Sequence, residues 1–278
     1  MRVTRRKKDW IIAIPSYKRA ETLRDKTLTV LMKYKIPRAK IHVFVATKEE
    51  EATYRAILDP STYGHIHVAV PGMAAVRNFI TKFFPIGKPI FNLDDDIRGF
   101  IEYSATARRN EKPLSNLVSV IEKGFATAQK TGFRLFGFYP VSNGYFMKPT
   151  CSSDLKYIIG SAWGILNPGP ILTVGIDDKE DYLRTVIMYI LDGGVLRFNN
   201  VSMQTAYYKE TGGMQETRTM KRIETSAKAM VEAFPDLVKI NLTKKSGIPE
   251  VRLRDARTHR THGPAVLDTY TLPNIKKT

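Results

Sequence analysis

Cysteine is nearly missing from this chain: Cys151 stands alone among 278 residues. A lone thiol excludes an internal disulfide and a zinc site built on cysteine pairs, a usage expected of a reducing cytoplasm. Long apolar runs are missing too, and no stretch approaches a membrane span. Behind the basic start Met1-Arg2-Val3-Thr4-Arg5-Arg6-Lys7-Lys8, the apolar run covers only residues 10–14 before Pro15, too short for the core of a secretory leader. The expectation is a soluble intracellular protein with no membrane partner. Acidic residues are in short supply, with 27 Asp and Glu against 44 Lys and Arg, a net charge of +17. Hydrophobic content is an ordinary 43%, so the chain can still bury a substantial core. A folded chain with that excess points to a polyanionic partner, nucleic acid before an anionic membrane surface. The sequence carries no repeats, low-complexity tracts or evident linker. The simplest organisation is one domain over residues 1–278 with a basic C-terminal extension from about residue 236.

What is present begins as strand–helix alternation. Residues 10–14 read as a buried strand, and Leu23, Thr27, Leu28 and Leu31 give one apolar helical face over residues 20–34. Residues 41–46 and 65–70 read as strands, and residues 48–58 and 73–84 as helices punctuated by Pro and Gly. Residues 89–93 make a fourth strand. Three repeats of this unit predict an α/β fold, a Rossmann-like, mostly parallel sheet flanked by helices. The pattern then changes. Residues 99–103 suggest another strand, 104–112 a polar loop, 114–132 a helix, 135–139 a strand, and 157–166 a strand or bent hairpin with tight places at Gly160 and Gly164. Leu183, Val186, Ile187, Ile190 and Leu191 mark a helix ending at Gly193-Gly194. Two strands (195–198 and 201–208) and a last helix (219–234) complete the reading, with a small antiparallel part among them.

Five stretches carry chemistry. The strand Pro89-Ile90-Phe91-Asn92-Leu93 runs into Asp94-Asp95-Asp96. Packing alone does not place three like charges at a buried strand's end, because they repel and resist desolvation. Hard oxygen ligands suit Mg²⁺ or Mn²⁺, and extended backbone would point Asp94 and Asp96 one way and Asp95 the other. The bland reading is a solvated acidic turn. A second stretch, Pro15-Ser16-Tyr17-Lys18-Arg19, joins strand one to a helix, where backbone N–H groups and cations suit an anionic nucleotide and Tyr17 can stack on a base. Pro71-Gly72-Met73-Ala74-Ala75-Val76-Arg77-Asn78 opens a helix with small residues and an Arg–Asn pair; a packed helix start explains it equally well. A second acidic-rich stretch, Asp177-Asp178-Lys179-Glu180-Asp181, sits at the start of an apolar helix. Capping and the helix dipole account for one or two acids there but not four, and a carboxylate beside a cleft is the usual general base for a hydroxyl. Lys209-Glu210-Thr211-Gly212-Gly213 can wrap amides around phosphate or be a plain turn.

Taken in order, Ile-Pro-Ser-Tyr-Lys-Arg (14–19), Gly-Met-Ala-Ala-Val-Arg-Asn (72–78), Asp-Asp-Asp (94–96) and Asp-Asp-Lys-Glu-Asp-Tyr-Leu-Arg (177–184) before a helix ending Gly-Gly resemble the GT-A-fold glycosyltransferases related to family 2, over roughly residues 10–215. The resemblance implies a nucleotide-sugar donor such as a UDP-sugar and an Mn²⁺ or Mg²⁺ ion on Asp94 and Asp96. It implies nucleotide contacts from Pro15, Tyr17, Arg19, Arg77, Asp94 and Asp95, with Lys209, Gly212 and Gly213 on the phosphates. In the family's acidic motif the second acid of a Glu-Asp pair is the base. Leu183 and Arg184 match the residues that follow it, placing the base at Asp178. Here the first acid is Asp177 rather than Glu and a second pair, Glu180-Asp181, follows, so Asp181 is a rival. The family often adds a late histidine as a metal ligand; none flanks Gly212-Gly213, and His259 and His262 lie far downstream.

Charge narrows the acceptor. Lys244, Lys245, Arg252, Arg254, Arg257 and Arg260 cluster near the C-terminus, and Arg252 and Arg254 share a face if extended. A solvated basic tail explains that cluster equally well. A small basic protein of this pattern is similar to the TET-associated glycosyltransferases of bacteriophages. That resemblance implies transfer of a sugar to hydroxymethylated pyrimidines in DNA, with inversion, in the host cytoplasm. The alternatives are the same fold acting on a protein, glycan or lipid acceptor, and a metal-dependent nuclease or DNA-binding module.

Overall fold

Ile11-Ile12-Ala13-Ile14 shows no polar alternation, the pattern of a strand covered on both faces. In the computed structural model, which describes residues 9–205, 219–241 and 250–273, it becomes β1 (Ile11–Pro15), buried along its length. Helix α1 (Ala20–Leu23) passes through a π-helical turn (Arg24–Leu28) and continues as α2 (Thr29–Lys33). Then follow β2 (Ile41–Val45), α3 (Lys48–Ile57), β3 (His65–Val68), α4 (Met73–Phe83) and β4 (Pro89–Leu93). Thr47 caps α3 by accepting from the Glu50 N–H. Gly72 precedes α4 at φ 99°, a backbone conformation that favours a residue without Cβ.

The second half adds β5 (Gly99–Tyr103), β6 (Glu111–Pro113), α5 (Leu117–Thr131), β7 (Leu135–Tyr139), β8 (Cys151–Ser152), β9 (Ala162–Leu166), α6 (Glu180–Asp192) and β10 (Leu196–Gln204). Helix α7 (Met220–Ala233), the antiparallel pair β11 (Val238–Asn241) and β12 (Glu250–Leu253), and the short α8 (Pro264–Leu267) complete the described chain. The main sheet is ten-stranded and mixed, in the order β3-β2-β1-β4-β9-β7-β10-β5-β6, with β8 on β10. From β3 to β4 all pairs are parallel. β9 is antiparallel to both β4 and β7, and β5 is antiparallel to β10. Alternate residues of β1 feed two cores: Ile12 and Ile14 join Leu23, Leu31, Phe91 and Phe136 on one face, Ile11 and Ala13 join Ile80, Ile187 and Met230 on the other. Gly164 of β9 is held to its identity by packing, since a Cβ there would lie 2.1 Å from the Phe136 ring.

The fold is α/β with a large, mostly parallel sheet in its first half and helices on both faces. Several local readings shift. Helix α5 starts at Leu117 rather than 114, because Asn116 accepts from the Ser119 N–H and caps it. Residues 157–161 form no strand; their backbone groups face α6 instead. Where two strands are expected at 195–198 and 201–208, the described residues form one, β10, with a register shift between Phe198 and Ser202, and residues 206–208 lie outside the described residues. The polar loop at 104–112 contributes Glu111 and Lys112 to the edge strand β6. Among the described residues beyond 236, Leu237, Val238, Val251 and Leu267 are buried.

Candidate active site

Strand order brings two loops together. β1 lies between β2 and β4, so the chain leaves β1 toward one side and resumes on the other at β4. At such a switch point the loops behind the two strands diverge and open a crevice at their carboxyl ends. Ser16 to Arg19 and Asp94 to Asp96 border that crevice.

The acidic stretch turns out of the sheet after Leu93, so hydrogen bonds rather than strand alternation orient its side chains. Asp95 is buried: Ser16 Oγ donates to its Oδ2 at 2.6 Å and Arg19 Nη1 to its Oδ1 at 3.2 Å. Ser16 Oγ also lies 2.7 Å from the Tyr54 hydroxyl, which accepts from the Arg19 N–H. The side chains of Asp94 and Asp96 remain partly open, at 31% and 17% exposure. Asp94 accepts from Arg77 Nη2 at 2.9 Å, and Asp96 lies 3.9 Å from Arg19. The turn itself is clamped from the π-helical segment. Fully buried Thr27 donates its hydroxyl to the Asp94 carbonyl at 2.7 Å and accepts from the Ile97 N–H at 3.0 Å. π-helical turns recur at functional sites because they redirect a single side chain out of helical register.

Arg77 is the hub that joins this turn to α6. Buried on α4, it also donates to the Gly160 carbonyl at 3.1 Å and lies 3.9 Å from Glu180. Its neighbour Asn78 exchanges two hydrogen bonds with the Val174 backbone, fixing the approach to the acidic stretch 177–181. Within that stretch the four carboxylates take four different environments. Asp177 accepts from the Ala74 N–H at 2.9 Å, at the start of α4. Asp178 is 1% exposed, with Arg222 Nε of α7 3.3 Å from its Oδ2. Lys179 then takes the left-handed conformation, φ 72°, and the chain reverses into α6. Glu180 pairs with Arg184 at 2.6 Å, both buried, and the Arg184 guanidinium lies 3.7 Å from the centre of the Trp163 ring. Asp181 accepts from the Tyr157 hydroxyl and, at 3.2 Å, from the Gly160 N–H.

Charge is held here against its preference. Burial pushes Asp94 up to about 7 despite Arg77, with Asp96 and Asp95 adding to the rise. Burial likewise pushes Asp95 up to about 6, against Arg19 and Ser16. Glu180 is raised by burial, opposed by Arg184 and then Arg77. Crowded, desolvated carboxylates of this kind are what a divalent cation relieves. Two open oxygen-bearing side chains, Asp94 and Asp96, fit a hard ion that takes its remaining ligands from water and phosphate. Asp95, turned to Ser16 and Arg19, is a brace for that pair.

The remaining sequence-marked residues are dispersed. Pro15 ends β1 and Tyr17 is exposed at the crevice edge, with Lys18 Nζ 5.1 Å from its ring centre. Lys209, Gly212, Gly213, Lys244 and Lys245 lie outside the described residues. His262 packs beside Gly193 at the far end of α6, about 20 Å along that helix from Glu180 at 1.5 Å per residue. The basic cluster divides. Arg252, Arg254 and Arg260 are exposed, whereas Arg257 forks onto Asp255 at 2.7 Å. Against the upward push of burial, Arg257 and the Tyr189 hydroxyl hold Asp255 down at about 2. Ser16, Thr27, Tyr54, Tyr157, Trp163 and Arg222 escape sequence reasoning. The Glu180–Arg184 pair carried a legible signal, its i,i+4 spacing on a helix. No family model matches this chain, and no curated protein matches it.

Proposed function

We propose that this protein is a GT-A-fold glycosyltransferase that moves a sugar from a nucleotide-sugar donor, of the UDP-sugar class, to hydroxymethylated pyrimidines in DNA. The observation that carries the reading is the pair of open carboxylates, Asp94 and Asp96, at the carboxyl end of β4 on the topological switch point. That is where open α/β sheets take nucleotides. Mn²⁺ or Mg²⁺ held there by Asp94 and Asp96 would neutralise the charge that develops on the departing diphosphate. Arg19, fixed by Asp95, lends the crevice a cation, and exposed Tyr17 offers a ring for the donor's base.

For the acceptor step the four acids are not equivalent. Asp177 is committed to the start of α4 and Glu180 to Arg184. Asp181 is held by Tyr157 and Gly160. The family pattern, in which Leu183 and Arg184 follow the acidic motif, favours Asp178 as the base, with Arg222 beside it. In this reading Asp178 takes the proton of the hydroxymethyl group as its oxygen bonds to the anomeric carbon and the bond to the diphosphate breaks. One base and no covalent intermediate invert the anomer. The target base leaves the stack to reach a pocket, as enzymes acting on bases require. The net charge of +17 and the exposed Arg252, Arg254 and Arg260 support a duplex on the basic side.

The test is mass spectrometry of nucleosides from hydroxymethylated DNA incubated with the protein, Mn²⁺ and a panel of nucleotide sugars. A nucleoside heavier by one sugar residue is the expected result. Release of nucleoside diphosphate with no DNA adduct would retain the transferase and discard the acceptor. DNA cleavage independent of any sugar nucleotide would replace the reading by a nuclease. Arg252→Glu with Arg254→Glu should lower DNA affinity and flatten its salt dependence by about two phosphate contacts; an unchanged slope would remove that face from the interface.

A further inference from the structure

A second cluster of metal-binding chemistry lies away from the carboxylates. Parallel pairing aligns His42 of β2 with His65 of β3 and Phe44 with His67, so the three imidazoles share one face of the sheet. One ring nitrogen from each lies within 4.8 Å of the other two. His42 Nδ1 and His67 Nε2 are 2.9 Å apart, and the His42 and His65 rings stack with centres 4.4 Å apart. Phe83 and Phe44 flank His67, and Phe84 meets the His42 ring edge-on. The acids follow the carboxyl ends of the strands, whereas His65 opens β3 and His42 is the second residue of β2. The two clusters therefore sit toward opposite ends of the sheet.

We propose that His42, His65 and His67 bind one borderline transition-metal ion, of which Zn²⁺ is the type, tying the edge strand β3 to β2. The donor set selects the ion. Three imidazoles with no carboxylate suit Zn²⁺, Cu²⁺ or Ni²⁺ and disfavour Mg²⁺ and Mn²⁺, the reverse of the Asp94–Asp96 pair. Ligands at 2.0–2.1 Å on a tetrahedral ion stand about 3.3 Å apart, and the three rings, now stacked within about 22° of parallel, must turn about their side-chain bonds to bring their nitrogens onto one ion. The phenylalanines exclude water from the inner side. His65 is exposed, so the fourth position faces solvent and is filled by water.

Zn²⁺ titration of the metal-stripped full-length protein against a chromogenic chelator tests this, together with unfolding midpoints with and without Zn²⁺. One Zn²⁺ per chain and a raised midpoint are expected. His65→Gln, at an exposed position, and His67→Gln should each weaken that binding by at least about tenfold, while Asp94→Asn leaves it unchanged. Pulsed electron resonance of the Cu²⁺ form should show coupling to imidazole nitrogens in the wild type and fewer of them in His65→Gln. No saturable binding, binding that survives both histidine substitutions, binding lost in Asp94→Asn, or a Cu²⁺ spectrum without imidazole coupling would each overturn the proposal.

Discussion

Thr27→Val isolates what the π-helical turn contributes. The substitution keeps the side chain's shape and removes a hydroxyl that is fully buried, donates to the Asp94 carbonyl at 2.7 Å and accepts from the Ile97 N–H at 3.0 Å. Two backbone groups of the acidic turn lose their partner. At about 1–3 kcal/mol for each buried group left unsatisfied, and some relief where Asp94 can reach water, the expected loss is about 2–4 kcal/mol. Thr27→Ser retains the hydroxyl and removes one methyl, which costs about 1 kcal/mol. Urea unfolding at a common m value measures both. Because the turn carries Asp94 and Asp96, Mn²⁺ affinity measured by the electron resonance of free Mn²⁺ should fall in Thr27→Val more than in Thr27→Ser. A Thr27→Val protein within about 0.5 kcal/mol of wild type, or a Thr27→Ser protein as damaged as Thr27→Val, would refute the reasoning.

Three further outcomes follow from the geometry. On the proposed reading, Asp178→Asn should abolish sugar transfer while donor binding, followed by calorimetry, persists; undiminished transfer would pass the role to Asp181. Arg184→Met strands buried Glu180 without the guanidinium that also lies over Trp163 and should cost about 3–5 kcal/mol in urea unfolding, whereas a loss below about 1 kcal/mol would show that Arg77 suffices for Glu180. The third concerns pH. His42 titrates at about 3 in the fold, below its ordinary 6.5, so below pH 6.5 the unfolded chain binds the extra proton. Stability is therefore complete above pH 6.5 and drains away as pH falls toward 3. Between pH 7 and pH 5 this amounts to at most about 2 kcal/mol, less where solvent reaching the half-buried ring screens the shift, and in the presence of a chelator His42→Gln should remove that share of the slope. An identical pH dependence in His42→Gln would exclude the ring from the linkage.

The parallel half of the fold was legible because its strands and helices follow local rules. β1 to β4 and the helices between them stand close to where apolar runs, prolines and glycines place them. The antiparallel half was less so. Whether residues 195–208 make one strand or two depends on pairing with β7, β8 and β5, all remote in sequence. In the site, the Asp94 and Asp178 stretches announce themselves as surplus charge. Their partners do not: Thr27 is one threonine on an amphipathic helix, Trp163 one aromatic in a strand, and Arg222 one of 44 basic residues. What singles them out is a position reached only when four distant elements meet. Arg77 shows the converse, since it stood out in the sequence and in the fold serves Asp94, Gly160 and Glu180 from inside the wall of the crevice.

The place of β9 in the sheet also sets a timetable. β4 gains its second neighbour only when residues 162–166 arrive, and β5 and β6 reach the sheet only through β10, at residues 196–204. During synthesis, at roughly 5–20 residues per second, β3-β2-β1-β4 is thus an unfinished sheet for several seconds, with β4 as an open edge. The same interval leaves the Asp94 turn without its partner at the Ser161 carbonyl, which accepts from the Asp94 N–H at 3.0 Å. A nascent chain halted before β9 would carry the strands that border the crevice, β1 and β4, and still lack the Ser161 carbonyl that holds the Asp94 N–H.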